Sequence, residues 1–276
     1  MRSHSSRGLS GGSLSCRLRC GKDLLFLPSL MFLIFFLLLG LILGSFVNVL
    51  IWRIPKGLSI GGRSFCDKCK NKISWFDNIP LLSFILLRGK CRSCKSNISL
   101  RYPFIELLTG IIFALLYLKF GLSYQMLFFS TLSPILISIF FIDLDHQIIP
   151  DELVFFGIII CALYYLLVPS AYAGGASSTY SLAPSFFAGL LSSLFLLILY
   201  FITSGRGMGL GDCKLALLGG MVAGLTNIFY WFFWAFLTGA VVGCILILTR
   251  KYGLKSKIAF GPFLIFALFL TIFLRL

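Results

Sequence analysis

Acidic residues are scarce in this chain. Its 276 residues include nine Asp and Glu against 24 Lys and Arg, and only two His. Charged residues make up 12% of the sequence while 59% is hydrophobic, and the mean hydropathy is +1.00. Such a composition excludes an ordinary soluble domain. Several windows exceed the roughly 18 apolar residues needed to cross a bilayer, so the chain reads as a polytopic membrane protein. Other absences narrow the chemistry. The glycine-rich stretch has no Gly-Lys-Ser/Thr, which excludes a phosphate loop. No Ser or Cys nucleophile accompanies His146, which argues against a triad. No glycine-rich loop on a strand–helix unit marks a nucleotide site. The net charge of +15 does not point to nucleic acid, because it is clustered. Eleven of the 24 basic residues lie between Arg53 and Arg101, and four more lie in Arg250–Lys257, the distribution of membrane-orienting loops that meet anionic lipid headgroups.

Eight apolar segments are expected: about Leu24–Trp52, Phe104–Leu118, Leu122–Ile142, Leu153–Val168, Ser185–Ile202, Cys213–Thr226, Ile228–Thr249 and Ile258–Leu274. The fold class is therefore an all-α polytopic membrane protein of about eight transmembrane helices with a small cytoplasmic loop domain. Its divisions are an N-terminal extension (1–30), a first helix (31–52), a cytoplasmic domain (53–102) and a seven-helix membrane domain (103–276). Placing the basic 53–101 loop in the cytoplasm puts Asp143–Glu152, Ser204–Asp212 and Arg250–Lys257 on the same side. The uncharged Ser170–Pro184 loop falls outside. The basic residues 1–23 oppose this orientation. No Ala-x-Ala-like site follows them, as a cleaved signal would require, and a translation start at Met31 removes the conflict.

Four cysteines form two knuckles, Cys66-Asp-Lys-Cys69 and Cys91-Arg-Ser-Cys94, in the basic loop. The 21 residues between the knuckles lie just beyond the usual separation in four-cysteine zinc sites, but four thiolates can close a tetrahedral structural zinc, and a reducing compartment disfavours disulfides. Cys161 and Cys244 read as small apolar residues in the membrane, Cys213 as packing, and Cys16 and Cys20 belong to the extension.

Because acids are few, those at helix ends stand out: a carboxylate at membrane depth is costly to bury and is a functional candidate by default. Asp143 ends one apolar run and Asp212 begins another. The stretch Asp143-Leu-Asp145-His146 through Asp151-Glu152 holds four of the nine acids. Asp151 and Glu152 suit the first turn of the next helix. Asp143 lies closest to the apolar run and feels the most desolvation. The alternating glycines of Gly205–Gly211, Gly209 and Gly211 among them, allow close backbone approach, as around an extended peptide. Two carboxylates sharing one site cannot easily both ionise, so one can act as acid while the other activates water, with no metal needed.

Seven stretches in order carry a family resemblance: Gly44-Ser-Phe-Val-Asn-Val-Leu-Ile-Trp-Arg-Ile-Pro55; Cys66-x-x-Cys69 with Asn78-Ile-Pro-Leu-Leu-Ser; Arg88-Gly-Lys-Cys91-x-x-Cys94; Arg101-Tyr-Pro-x-x-Glu106; Ile142-Asp-x-Asp-His-x-x-x-Pro-Asp151; Gly207-Met-Gly-x-Gly-Asp-x-Lys-Leu215; and Phe260-Gly-Pro-Phe263. In these the chain resembles the type IV prepilin peptidases, polytopic aspartyl proteases of the Gly-x-Gly-Asp class. The resemblance implies an inner-membrane enzyme that removes the basic leader of type IV prepilins or type II secretion pseudopilins after a Gly. It also implies N-methylation of the new N-terminus with S-adenosylmethionine. It makes Asp143 and Asp212 the catalytic pair and Cys66, Cys69, Cys91 and Cys94 the zinc ligands. Asp67, Asp77, Asp145 and Glu152 are candidates to meet a basic leader, and Gly209, Gly211 and Asp145 are the expected substrate-binding residues. The competing readings are a membrane scaffold whose zinc loop recruits a partner, and a proton-coupled transporter.

Overall fold

The computed structural model describes residues 13–66, 68–168, 182–205, 208–249 and 259–274, with side chains from Ser29 onward except those of Trp75 and Ile247. Asp67, Gly207, most of the Ser170–Pro184 loop, the Arg250–Lys257 loop and the side chains of Cys16 and Cys20 lie outside the described residues.

The described residues are helical: α1 (Ser13–Arg53), α2 (Leu82–Leu86), α3 (Arg101–Phe120), α4 (Tyr124–His146), α5 (Asp151–Leu167), α6 (Leu182–Ile202), α7 (Leu210–Ala223), α8 (Ile228–Leu248) and α9 (Gly261–Leu274). Each of the eight expected apolar segments coincides with one of these helices, yet five are long and apolar enough to cross a membrane: Ser29–Lys56, Arg101–Phe120, Tyr124–His146, Leu182–Ile202 and Ile228–Leu246. The other three, α5, α7 and α9, have 17, 14 and 14 residues. For α7 the reason is plain. Ten of its residues, from Asp212 to Ala223, are buried among protein, so its length need not match a lipid core.

Small residues set how closely the helices approach, as expected where lipid competes for apolar contacts. Gly40 and Gly44, four residues apart on α1, face α3. A Cβ on Gly44 would lie 2.7 Å from Glu106 Cα, and one on Gly40 would lie 2.8 Å from Gly110 Cα. The same device seats α7 against α6, where a Cβ on Gly189 would meet the Leu217 carbonyl at 2.6 Å. Trp231 of α8 fills the space over Gly219, and its Nε1–H donates to the Leu264 carbonyl of α9 at 2.9 Å. In α4, Pro134 frees the carbonyl one turn back. Ser133 Oγ donates to Ser130 O at 3.4 Å, and Ser138 Oγ to Pro134 O at 2.7 Å.

Between α1 and α3 sits a domain with little core of its own. No described side chain from Ile54 to Leu100 is buried. Polar ties replace the core. The Arg53 guanidinium, itself buried, donates to the carbonyls of Ser59, Ile60, Gly61, Gly62 and Arg63, curling the loop around the end of α1. Arg92 grips Asp77 with two bonds of 2.9 and 2.6 Å. Asn48 Nδ2 donates to the Tyr102 carbonyl at 3.1 Å.

Gly44→Leu would force α1 away from α3. The expected cost is about 1–3 kcal/mol of overpacking strain, read as a lowered melting temperature in detergent, whereas Gly57→Ala, where a Cβ meets nothing within 4 Å, perturbs only its left-handed turn.

Candidate active site

Asp143 and Asp212 reach one place from opposite directions along the fold. Asp143 lies in the last turn of α4, which ends where the Gln147 N–H returns to the Asp143 carbonyl at 2.9 Å and Gln147 takes φ +54°. Asp212 lies in the first turn of α7. There its Oδ2 accepts the Gly209 N–H at 2.9 Å, the carboxylate half of a capping box, while its own N–H donates to the backbone carbonyl of Gly209 at 3.2 Å. Both are almost wholly buried, 4% and 6% exposed. Asp212 is near enough for its charge to act on Asp143.

A third element completes the site. Gly261 opens α9 against Asp143: a Cβ there would collide with Asp143 Oδ2. Ile149, in the turn between α4 and α5, fits between the two sides. It lies 3.1 Å from where a Gly211 Cβ would be and 3.3 Å from where a Gly261 Cβ would be. The space left by Gly211 is thus taken by Ile149. Gly209 stays open, with nothing closer than 3.8 Å to a Cβ built there.

The electrostatics follow from helix ends. A carboxylate at a helix C-terminus faces the negative end of the dipole, while one at an N-terminus is favoured by about 0.3–1 kcal/mol. Asp212 has the favourable place. Asp143 and Asp145 do not, and each is met by something from outside α4. Asp145 pairs with Arg101 at 2.5 Å, and that guanidinium also lies over the Phe141 ring. Asp143 meets the N-terminus of α9 at Gly261, with its Oδ2 buried and lacking a hydrogen-bond partner. Asp151 pairs with Lys214 at 2.7 Å, tying the first turns of α5 and α7 together. Glu152 is exposed.

The four knuckle cysteines also converge. Their Sγ atoms all lie within 4.8 Å of one another. A metal–sulfur bond of about 2.3 Å gives a tetrahedron with edges of about 3.8 Å, and Cys66 Sγ and Cys94 Sγ are 3.8 Å apart. The two knuckles share one fold. Cys66 and Cys91 each receive, on the carbonyl, the N–H of the residue four further on, Lys70 and Lys95, at 2.9 Å. Each opens a short antiparallel bridge, Phe65 with Lys72 and Lys90 with Asn97. Lys70 and Lys95 both take the left-handed conformation. Backbone N–H groups, that of Cys69 foremost, bring the Cys66 thiol down to about 6, and the Ser96 hydroxyl lowers Cys94. Both shifts favour the thiolate that binds metal, whereas Cys69, although the Asn71 N–H lowers it, is pushed up to about 11 by burial and by the other three sulfurs. The set can hold a metal ion.

Beside this cluster a cavity of about 460 Å³ lies between the cysteine domain and helices α1 and α3, lined by Ser45, Asn48, Trp52, Ser83, Tyr102 and Glu106 among others.

Several of these roles left a trace in the sequence without being assignable there. Glu106 accepts the Leu81 N–H at 2.9 Å, and Gly261 abuts Asp143. Both sit in stretches that the motif order singled out. Ile149, an ordinary apolar residue, carried no signal.

A helical membrane protein with two buried aspartates at helix ends and a four-cysteine domain is the class that these features define. Residues 126–244 match the type IV leader peptidase family, and residues 38–120 match the bacterial peptidase A24 N-terminal domain. The chain belongs to the type IV leader peptidase family. Among its relatives, a Neisseria gonorrhoeae protein described as a prepilin leader peptidase/N-methyltransferase is 34% identical over 254 residues, which cover 81% of this chain and 84% of the relative. One of Bacillus subtilis (strain 168) with the same description is 35% identical over 228 residues, covering 81% and 86%. A third, from Myxococcus xanthus (strain DK1622), is 46% identical over 121 residues, 44% of this chain and 36% of its own length. No solved structure gives a significant match.

The purified protein should carry about one metal ion per chain by elemental analysis. Cys66→Ser or Cys91→Ser should remove it and expose residues 54–100 to protease, since that stretch has no buried side chain to fall back on.

Proposed function

We propose that the chain is an aspartic endopeptidase that cleaves the basic leader of type IV prepilins or type II secretion pseudopilins at the cytoplasmic face of the inner membrane, and that it then N-methylates the new N-terminus. Asp143 and Asp212 are its catalytic pair. The observation that carries this reading is the burial of both carboxylates at one junction of α4, α7 and α9.

The chemistry follows from asymmetry within the pair. Asp212 has one oxygen committed to the Gly209 N–H. Asp143 Oδ2 has no such partner and is free to hold a proton. With one carboxyl neutral and the other ionised, the ionised group takes a proton from water as that water attacks the scissile carbonyl. The neutral group gives its proton to the carbonyl oxygen. Collapse of the tetrahedral intermediate returns the first proton to the leaving amine. Gly209, which bears no side chain and has open space around it, allows an extended peptide backbone to approach beside Asp212. Gly211 supports the site by admitting Ile149, and Asp145, balanced by Arg101, sits at the rim where a basic leader arrives.

The four cysteines hold zinc, whose part is to fasten the loop domain. The methyl donor, S-adenosylmethionine, is a second substrate. The 460 Å³ cavity has the volume and mixed lining of a small-molecule site, and we place the donor there. The scaffold reading gives no account of two buried acids, and neither it nor the transporter reading, which would use them as a proton relay, accounts for the likeness to leader peptidases.

Asp143→Asn and Asp212→Asn should each lower prepilin cleavage by about 10²–10⁴-fold or more while protein level and metal content stay unchanged. Normal cleavage by both variants would sink the protease reading, and proton-coupled flux in liposomes without cleavage would favour a transporter. Ser83→Trp, which fills the cavity, should abolish transfer of a labelled methyl group to cleaved pilin and spare cleavage. Undiminished labelling would move the donor elsewhere.

A further inference from the structure

The cysteine domain has an apolar face that its own fold leaves bare. Leu82, Ile85 and Leu86 of α2 are 50%, 68% and 72% exposed, and Phe76 and Ile79 just before them are also exposed. The other side of the same turn, Ser83, Phe84 and Leu87, lines the cavity. The segment therefore has an inner face toward protein and an outer face of large aliphatic side chains. From the segment and the charges around it we infer that residues 79–87 form an interfacial anchor, which inserts its outer face into the membrane at the boundary between headgroups and acyl chains.

Three independent observations carry this. The first is depth. The Leu81 N–H donates to Glu106 Oε2, and Glu106 lies five residues into α3, about 7.5 Å along its axis. The Glu106 side chain leans back toward the N-terminus, which brings the carboxylate level with the first turn of α3, so α2 stands beside that turn. Gly44 of α1, nine residues before Arg53, packs directly on Glu106, a Cβ there lying 2.7 Å from Glu106 Cα, so the residue that holds Leu81 is level with a point well inside α1.

The second is backbone satisfaction. Lipid offers no partner to a peptide group, so a loop that meets it must satisfy its own. The N–H groups of Leu82, Ser83, Ile85, Leu87, Arg88, Gly89 and Lys90 all donate to carbonyls between Ile79 and Leu87. That of Leu81 goes to Glu106. Left-handed residues at Leu81 and at Arg88–Gly89 bound the segment and fold it back on itself.

The third is charge. Arg88 and Lys90 follow α2 directly, and residues 76–105 contain a single acid, Asp77, already held by Arg92. Exposed aliphatic side chains edged by uncompensated cations fit an anionic lipid surface, where such a face buries about 5–10 Å.

The test uses the full chain in nanodiscs, with the photoreactive residue p-benzoylphenylalanine placed at Ile85, at Leu86 or at Lys95, which lies at the second knuckle. Metal content identifies the folded variants. After illumination, intact-protein mass should show lipid adducts at Ile85 and Leu86 several-fold above those at Lys95. The yield should rise when phosphatidylglycerol is added to phosphatidylcholine. Equal adducts at all three positions, no adducts at Ile85 and Leu86, or crosslinks from those two positions to a second protein chain would each overturn the inference.

Discussion

Everything in this fold answers to the cost of keeping two carboxylates out of water. A buried charge is tolerated only where fixed dipoles or partners meet it. Helix ends are the dipoles that a helical membrane protein has to offer. Asp212 is placed at the start of α7, where it also caps that helix. Asp143 falls at the wrong end of α4, so α9 must bring its own N-terminus to it, and Gly261 must be glycine for that helix to come close enough. The shortness of α7, its nearly complete burial and the glycines that seat it against α6 and α8 follow from the same demand. A helix that holds a reactive acid away from solvent and lipid has to be surrounded by protein.

The cysteine domain solves a different problem by different means. It has no apolar interior among its described side chains, and a segment of this size cannot stabilise itself by hydrophobic burial. Its order comes from polar ties, the Asp77–Arg92 pair and the Arg53 guanidinium gathering five carbonyls, around four converging cysteines that can hold a metal ion. The repeated knuckle explains why the two Cys-x-x-Cys pairs lie in similar polar sequence. Each must turn sharply after its first cysteine so that both sulfurs face the same point, and in each the turn is made at a lysine in the left-handed conformation.

How much of this was legible beforehand differs by feature. The apolar runs announced the helices, because a membrane-length stretch has no other stable conformation. The knuckles announced a metal-binding set, because ligand spacing is local. Asp143 and Asp212 were visible through rarity alone. What was hidden was long-range. Gly211 read as room for a peptide, yet the room is filled by Ile149, 62 positions away in the chain. Asp145 read as a candidate to meet a basic leader, and Arg101 of another helix already pairs with it. Eight spanning helices were expected, and α7 is short among the described residues because protein encloses it. None of these facts is encoded within a window of a few residues.

The start of α3 is where the two halves meet. Arg101 reaches α4 and holds Asp145, two residues beyond Asp143. Five residues further along, Glu106 holds the Leu81 backbone of the cysteine domain, while Asn48 of α1 bonds to the carbonyl of Tyr102 between them. Within two helical turns one element therefore anchors the loop domain, the first helix and the end of the helix that carries an aspartate. The cysteine domain cannot shift as a body without pulling on that same stretch. A domain with no core of its own thus gains a fixed position from the membrane helices, and the end of α4 gains a partner that offsets its unfavourable dipole. Arg101, Glu106 and Asp145 all serve at this junction, which is how so apolar a sequence can still position its acids.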